Sequence, residues 1–159
     1  MLGRTHMVAG AVPGALIGLH SGPLGMAAGA VLGGASALVP DIDQPGTPAA
    51  KVPVLGWALS HALHHRGVTH SLLAMVAWWL AVRWVDASLH GPVWLGLAAL
   101  AGYGSHLLLD AATVSGVPLF WPASRKYTLR LCKTGSSLEH LVVFPLCCLA
   151  LAAVAWRWG

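Results

Sequence analysis

The sequence is poor in charged residues. Asp, Glu, Lys and Arg make up 9% of its 159 residues, whereas soluble domains carry about 25%. Hydrophobic residues account for 57% of the chain, and the mean hydropathy is +0.71. Such a chain cannot cover itself with solvated side chains, so we expect an integral membrane protein.

Cysteine is also scarce. Cys132, Cys147 and Cys148 lack metal-site spacing, and two of them lie in an apolar run. We therefore expect small buried side chains, without a disulfide framework or a thiolate-bound structural metal. The formal charge of +4 comes from basic residues that form no nucleic-acid-reading motif, so no nucleic-acid partner is expected. The N-terminal apolar run does not have the pattern of a cleavable signal peptide.

Five apolar runs divide the chain. A spanning helix needs about 20 apolar residues; the last two runs meet this length, the second and third are borderline, and the first is short. Glycine recurs every fourth residue in the first two runs, which favours close backbone contact in a tight helical hairpin. We predict an all-α, multi-pass transmembrane bundle forming a single domain over 1–159. The five runs are residues 7–20, 22–39, 71–85, 92–110 and 141–157.

The basic residues indicate an orientation. If the N-terminus is cytoplasmic and each run crosses once, only Arg83 and Arg157 fall on the outer side. This matches the excess of Lys and Arg in cytoplasmic loops. We therefore expect a multi-pass protein with its N-terminus in the cytoplasm.

The same alternation delivers most imidazoles and carboxylates to one end of the bundle. Every acid except Asp86 falls on the cytoplasmic side. There, Val52 to His64 is predicted to form a short interfacial or re-entrant helix. The polar site is expected at the membrane boundary, facing the cytoplasm.

Two short motifs have metal-ligand spacing. In SHLLLD (105–110), His106 and Asp110 stand one helical turn apart and can hold one ion from the same face; a structural His–Asp hydrogen bond is the alternative. In PDID (40–43), Asp41 and Asp43 stand two residues apart and could share one metal or bridge two. The alternative there is a solvated turn.

A third motif, HRGVTHS (65–71), combines two imidazoles with a guanidinium. His65 and His70 could bind a divalent metal, and the planar guanidinium of Arg66 could donate paired hydrogen bonds to a phosphate or carboxylate. Thr69 or Ser71 could cap the following helix. The alternative is a basic interfacial cluster that meets lipid head groups.

Together these motifs predict a site for one or two divalent ions. Zinc is the first expectation, with manganese, iron or magnesium as alternatives, since the ligands are nitrogen and oxygen. Glu139 or a spare aspartate such as Asp43 would act as general base, and Arg66 would steady a phosphate. The eight candidate ligands are His6, Asp41, Asp43, His65, His70, His106, Asp110 and Glu139.

The ordered set of motifs resembles the YdjM-like family, described as LexA-binding metal-dependent hydrolases associated with the inner membrane. The resemblance covers nearly the whole chain. It rests on His6, PDID, HRGVTHS, GYGSHLLLD (102–110), Thr113, GVPLFWP (116–122) and Glu139. It implies a multi-pass protein of a bacterial inner (plasma) membrane, a metal site that faces the cytoplasm, and hydrolysis. A more distant similarity, to zinc-dependent phospholipases C, rests on the His-x-x-x-Asp pair and has only the weight of analogy.

Two functions follow as expectations. The first is a membrane-bound, metal-dependent hydrolase of a phosphoester in a lipid or other membrane-associated substrate. The second is a non-catalytic metal-binding membrane protein, either a sensor or a small transporter. Transporters carry polar residues or broken helices near the middle of the membrane, whereas the polar groups here gather at helix ends.

Overall fold

A computed structural model describes residues 1–42 and 67–157. Asp43, His65, Arg66 and the predicted interfacial helix lie outside this part of the chain. Within it, regular structure is helical apart from two isolated β-bridges, which confirms the all-α prediction for these residues. The helices are α1 (Gly3–Gly18), α2 (Gly22–Ser36), α3 (Leu72–Ser88), α4 (Trp94–Ala112) and α5 (Phe144–Trp156).

Helices α1 and α2 form the predicted tight hairpin through a 3-10 turn at Leu19–Ser21. Their backbones touch directly. A Cβ atom added at Gly14 would lie 2.1 Å from the carbonyl oxygen of Gly29, and one at Gly18 would lie 2.1 Å from that of Gly25. Any side chain at these positions would push the two helices apart, so the glycine repeat is a packing surface.

Helix α4 packs against the hairpin and places His106 and Asp110 next to it. A Cβ atom at Gly102 would lie 2.1 Å from the carbonyl oxygen of Gly33, so α4 approaches α2 as closely as α1 does. The small buried core next to this contact contains Tyr103, Leu107 and Val117. Close packing here fixes the position of the C-terminal turns of α4.

Helix α3 begins beside this core. The Ser71 hydroxyl accepts a hydrogen bond from the Ala74 backbone amide at 3.2 Å, which confirms one of the two predicted caps. Trp78 Nε1 donates to the Ser36 hydroxyl at 3.1 Å and ties α3 to α2. Helix α5 follows a π-helical turn, Glu139–Val143, and packs mainly on α1.

Three helical segments are long and apolar enough to cross a membrane, judged by length and composition. They are Gly3–Asp41, which contains the hairpin, Trp94–Ala112, and Glu139–Trp156. At 1.5 Å per residue, the 16 residues of α1 extend about 24 Å, less than the roughly 30 Å of a hydrocarbon core. The number of spans predicted from the sequence is five, and that number stays a prediction.

Candidate metal site

Five of the predicted ligands meet at one end of the bundle. They come from the first turns of α1, the 3-10 turn Val39–Asp41 after α2, the turn before α3, and the last turns of α4. Two are fully buried, and the other three keep 13–17% of their side-chain area exposed. We call this group the histidine–aspartate cluster: His6, Asp41, His70, His106 and Asp110.

The tautomer of His106 is determined by its surroundings. Its Nδ1 lies 2.7 Å from the carbonyl oxygen of Ala37. A carbonyl can only accept, so Nδ1 must carry the proton and donate it. In a neutral imidazole this leaves the lone pair on Nε2, which faces into the cluster. A second partner that orients the ring in this way is typical of metal-ligating histidines.

His70 is oriented similarly. Its Nδ1 lies 3.2 Å from the Thr69 hydroxyl, which can accept its proton. Its Nε2 then points at the Nε2 of His106, 3.3 Å away. The same Nε2 lies 3.3 Å from Asp41 Oδ1 and 3.6 Å from Asp110 Oδ2.

The spacing of these atoms fits a small cation. The two Nε2 atoms, Asp41 Oδ1 and Asp110 Oδ2 form five pairs 3.3–3.8 Å apart. Ligands bound to tetrahedral zinc at about 2.0–2.1 Å stand about 3.3–3.4 Å from one another. Lone pairs that face one another at this distance repel unless a positive charge lies between them. A divalent ion supplies that charge to all four atoms at once, whereas a proton on one histidine joins only two.

His6 lies on the far side of Asp110. Its ring is fully buried and stacks on the ring of His106 with centroids 3.7 Å apart. Its Nε2 stands 3.1 Å from Asp110 Oδ1, yet neither ring nitrogen has a hydrogen-bond partner among the described residues. The Asp110 carboxylate therefore faces His70 and His106 with one oxygen. Its other oxygen faces His6 and forms an ion pair with the N-terminal ammonium of Met1.

Glu139 is engaged elsewhere. It is fully buried, and its two oxygens accept hydrogen bonds from the backbone amides of Leu2 at 2.6 Å and Gly135 at 2.8 Å. It fastens the N-terminal segment to the turn before α5 and is not part of the cluster. Burial, followed by the nearby Glu139 charge, raises the pKa of the Cys132 thiol, so that cysteine is a neutral buried group as expected.

The remaining predicted site residues, Asp43, His65 and Arg66, lie outside the described part of the chain, and their roles stay predictions.

A pocket of about 720 Å³ opens over the cluster. Asp41, His70 and Asp110 lie at its base. A second part of the lining, called here the loop wall, comes from the loop between α4 and α5, where the backbone of Val117 pairs with that of Tyr127. Sequence reasoning did not assign site residues there, because the loop has no helical periodicity. Its lining residues include Ser115, Trp121, Ser124, Lys126 and Thr134.

Comparison with known proteins gives the family. The model of the YdjM inner membrane protein family matches residues 1–159. The uncharacterized protein YvsG of Bacillus subtilis is 34% identical over 152 residues, covering 92% of this chain and 89% of YvsG.

The inner membrane protein YdjM of Escherichia coli K12 is 34% identical over 114 residues, or 69% of this chain, and so is the protein of the same name in Shigella flexneri. The match spans 58% of the length of each of these two relatives. No solved structure gives a significant match. With a family model that covers its whole length, and with apolar helices long enough to cross a bilayer, this membrane protein belongs to the YdjM inner membrane protein family.

Proposed function

We propose that this protein is a membrane-bound, metal-dependent hydrolase acting on a phosphoester of a lipid or another membrane-associated substrate. The observation that carries the proposal is the set of four ligand atoms, Nε2 of His70 and His106 with one oxygen each of Asp41 and Asp110. Five of their six separations are 3.3–3.8 Å, which suits ligands of one divalent ion. The base of an open pocket is the place where such an ion can also meet a substrate.

The proposed topology has five membrane segments in the inner membrane, with the pocket facing the cytoplasm. It is supported by the shared end at which α1 begins, α2 ends, α3 begins and α4 ends. The Lys and Arg excess predicted for that side supports the orientation. A head group would then lie at the height of the pocket, which is why an amphiphilic substrate is favoured.

The ion would be held by His70, His106, Asp41 and Asp110, with zinc as first choice and manganese, iron or magnesium as alternatives. When bound, it would supply Lewis acidity toward a phosphoryl oxygen and lower the pKa of water at the site. The chain orients the ligands: Ala37 fixes the His106 ring through its carbonyl oxygen. The partly exposed ligands keep one side open to the pocket.

Acid–base chemistry needs a further group. Both oxygens of Glu139 already accept backbone amide protons, so we assign it a structural role instead of the predicted one. The buried ring of His6, whose Nε2 lies 3.1 Å from Asp110 Oδ1 but has no hydrogen-bond partner among the described residues, is a second group that can take up a proton. Asp43 keeps its predicted role as general base, and Arg66 its predicted role in steadying the phosphate.

The test is a turnover assay on the purified protein in mixed-lipid nanodiscs. Release of phosphate or head group is followed with zinc, with a chelator, and after zinc is restored. We expect chelation to abolish release and zinc to restore it. The variants His106→Ala and Asp110→Asn should be inactive, while His20→Ala, an exposed histidine at the opposite end of α1, should act as wild type. Activity that ignores the chelator would refute the metal-dependent mechanism, and bound metal without turnover on any lipid would favour a sensor.

A further inference from the structure

The loop wall of the pocket has a chemical character of its own. At its rim stands Lys126, accompanied by the hydroxyl groups of Ser115, Ser124 and Thr134. The acids that line the pocket in the described part of the chain are Asp41 and Asp110, both at its base. Lys126 forms no ion pair with a described carboxylate. The wall thus adds a positive charge and several hydroxyl donors to the same pocket that the histidine–aspartate cluster lines.

The charge balance of the pocket favours an anion once a cation is bound. The two aspartates of the lining carry two negative charges, and the N-terminal ammonium of Met1 already forms an ion pair with Asp110 Oδ1. A bound divalent ion would therefore give the pocket a net positive charge, and the ammonium of Lys126 adds to it. A lysine ammonium binds phosphate as a point charge with three donors, and the surrounding hydroxyls can donate to the remaining phosphate oxygens.

The backbone explains why Lys126 faces the pocket and its neighbour does not. Tyr127 forms an isolated antiparallel bridge with Val117 through two backbone hydrogen bonds of 3.0 and 2.9 Å. Side chains alternate between the two faces of a paired strand. Arg125 and Tyr127 share the outer face, where the guanidinium lies 5.4 Å from the ring centroid. Lys126 is on the other face and lines the pocket.

We infer that this wall is a phosphate-binding subsite in which Lys126 is the counter-charge that positions the phosphate group against the histidine–aspartate cluster. The inference rests on the proposed function and names its substrate class: a phosphate-bearing molecule whose remaining part contacts the apolar wall of Pro118, Trp121 and Pro122. A lipid head group and a soluble phosphate ester share this chemistry. Lys126 acts on the substrate and is not a metal ligand.

The experiment measures binding of inorganic phosphate to zinc-loaded protein in nanodiscs of neutral lipid, by calorimetry. The variant is Lys126→Met. The matched control is Arg125→Met, which removes a neighbouring positive charge that lies beside Tyr127 and does not line the pocket. We expect Lys126→Met to weaken phosphate binding by about 10-fold or more and Arg125→Met to change it by less than about 2-fold. Both side chains are exposed, so thermal unfolding should be unchanged in both variants.

Two competitors distinguish the sources of the phosphate. Displacement of inorganic phosphate by phosphatidic acid in the nanodisc assigns the subsite to a lipid head group, and displacement by glycerol 3-phosphate alone assigns it to a soluble ester. Phosphate affinity that is unchanged in Lys126→Met, or equally reduced in both variants, overturns the inference. If phosphate binding depends on Lys126 but the wild-type protein hydrolyses no substrate, only the hydrolase proposal is refuted. If the protein hydrolyses substrate and Lys126→Met has the same KM as wild type, only the phosphate subsite is refuted.

Discussion

Replacing Gly102 with alanine should disturb the metal site from a distance. The added Cβ would lie 2.1 Å from the carbonyl oxygen of Gly33, whereas ordinary contacts begin at 3.4 Å. Helix α4 must therefore move about 1.3 Å away from α2. His106 stands four residues further along the same face of α4, so it moves with Gly102.

The consequence for the ligands can be estimated. The His106 ring depends on the 2.7 Å hydrogen bond to the Ala37 carbonyl oxygen just after α2, and metal ligands tolerate errors of only about 0.2 Å. A displacement of this size breaks that bond and pulls the ring away from Asp41. We expect metal affinity to fall about 10- to 100-fold, as when outer partners of metal ligands are lost. Overpacking should also lower stability by about 1–3 kcal/mol.

Gly104→Ala is the matched control, because its Cβ would meet only the Met75 sulfur, at an ordinary 3.6 Å. Zinc affinity is measured on detergent-purified protein by competition with a chromophoric chelator, with thermal unfolding in parallel. Gly104→Ala should bind zinc within about 3-fold of wild type, since an ordinary contact requires no backbone shift. Wild-type affinity in Gly102→Ala, or an equal loss in both variants, would refute the packing argument.

Three further predictions concern stability, each measured by thermal unfolding in detergent. Ser71→Ala removes the N-cap of α3 and should lower the free energy of unfolding by about 1 kcal/mol. The control Ser88→Ala, near the exposed end of the same helix, should lower it by less. Glu139→Gln places a side-chain NH₂ group against the backbone amide of Leu2 or Gly135, where two donors face each other, and should lower the free energy of unfolding by about 1–3 kcal/mol. An unchanged Tm would contradict the anchoring role of Glu139. Zinc at 100 times its Kd should stabilise the fold by about 2.7 kcal/mol, an effect that a chelator should reverse and that should be absent in His106→Ala.

The alternation of apolar runs was enough to place the cluster at one end of the bundle. His6, Asp41, His70, His106 and Asp110 all lie within about one helical turn of a boundary of an apolar run, and helices that alternate in direction return these boundaries to the same end. The glycine repeats likewise predicted the hairpin, because backbone contact of this kind depends on local spacing alone. Helix ends were less predictable: α2 stops at Ser36 and continues as a 3-10 turn, since Pro40 lacks an amide proton.

Features that depend on packing between distant segments could not be predicted. The Ala37 carbonyl fixes His106 only because α4 approaches α2 at Gly102 and Gly33. The sequence shows a carboxylate at the start of the last helix, but not that Glu139 would meet two backbone amides. The orientation of Lys126 depends on the pairing of Val117 with Tyr127, which no periodic pattern indicates.

The central claim is that four side chains from three segments of the chain hold one cation, and metal content tests it most directly. Protein purified in detergent, loaded with zinc and freed of excess by gel filtration, is analysed for zinc per chain by elemental mass spectrometry. The account predicts at least one tightly bound ion in wild type and in His20→Ala, and its loss in His106→Ala and in Asp110→Asn. Zinc content that is the same in all four proteins, or wild-type protein that retains none, would contradict it.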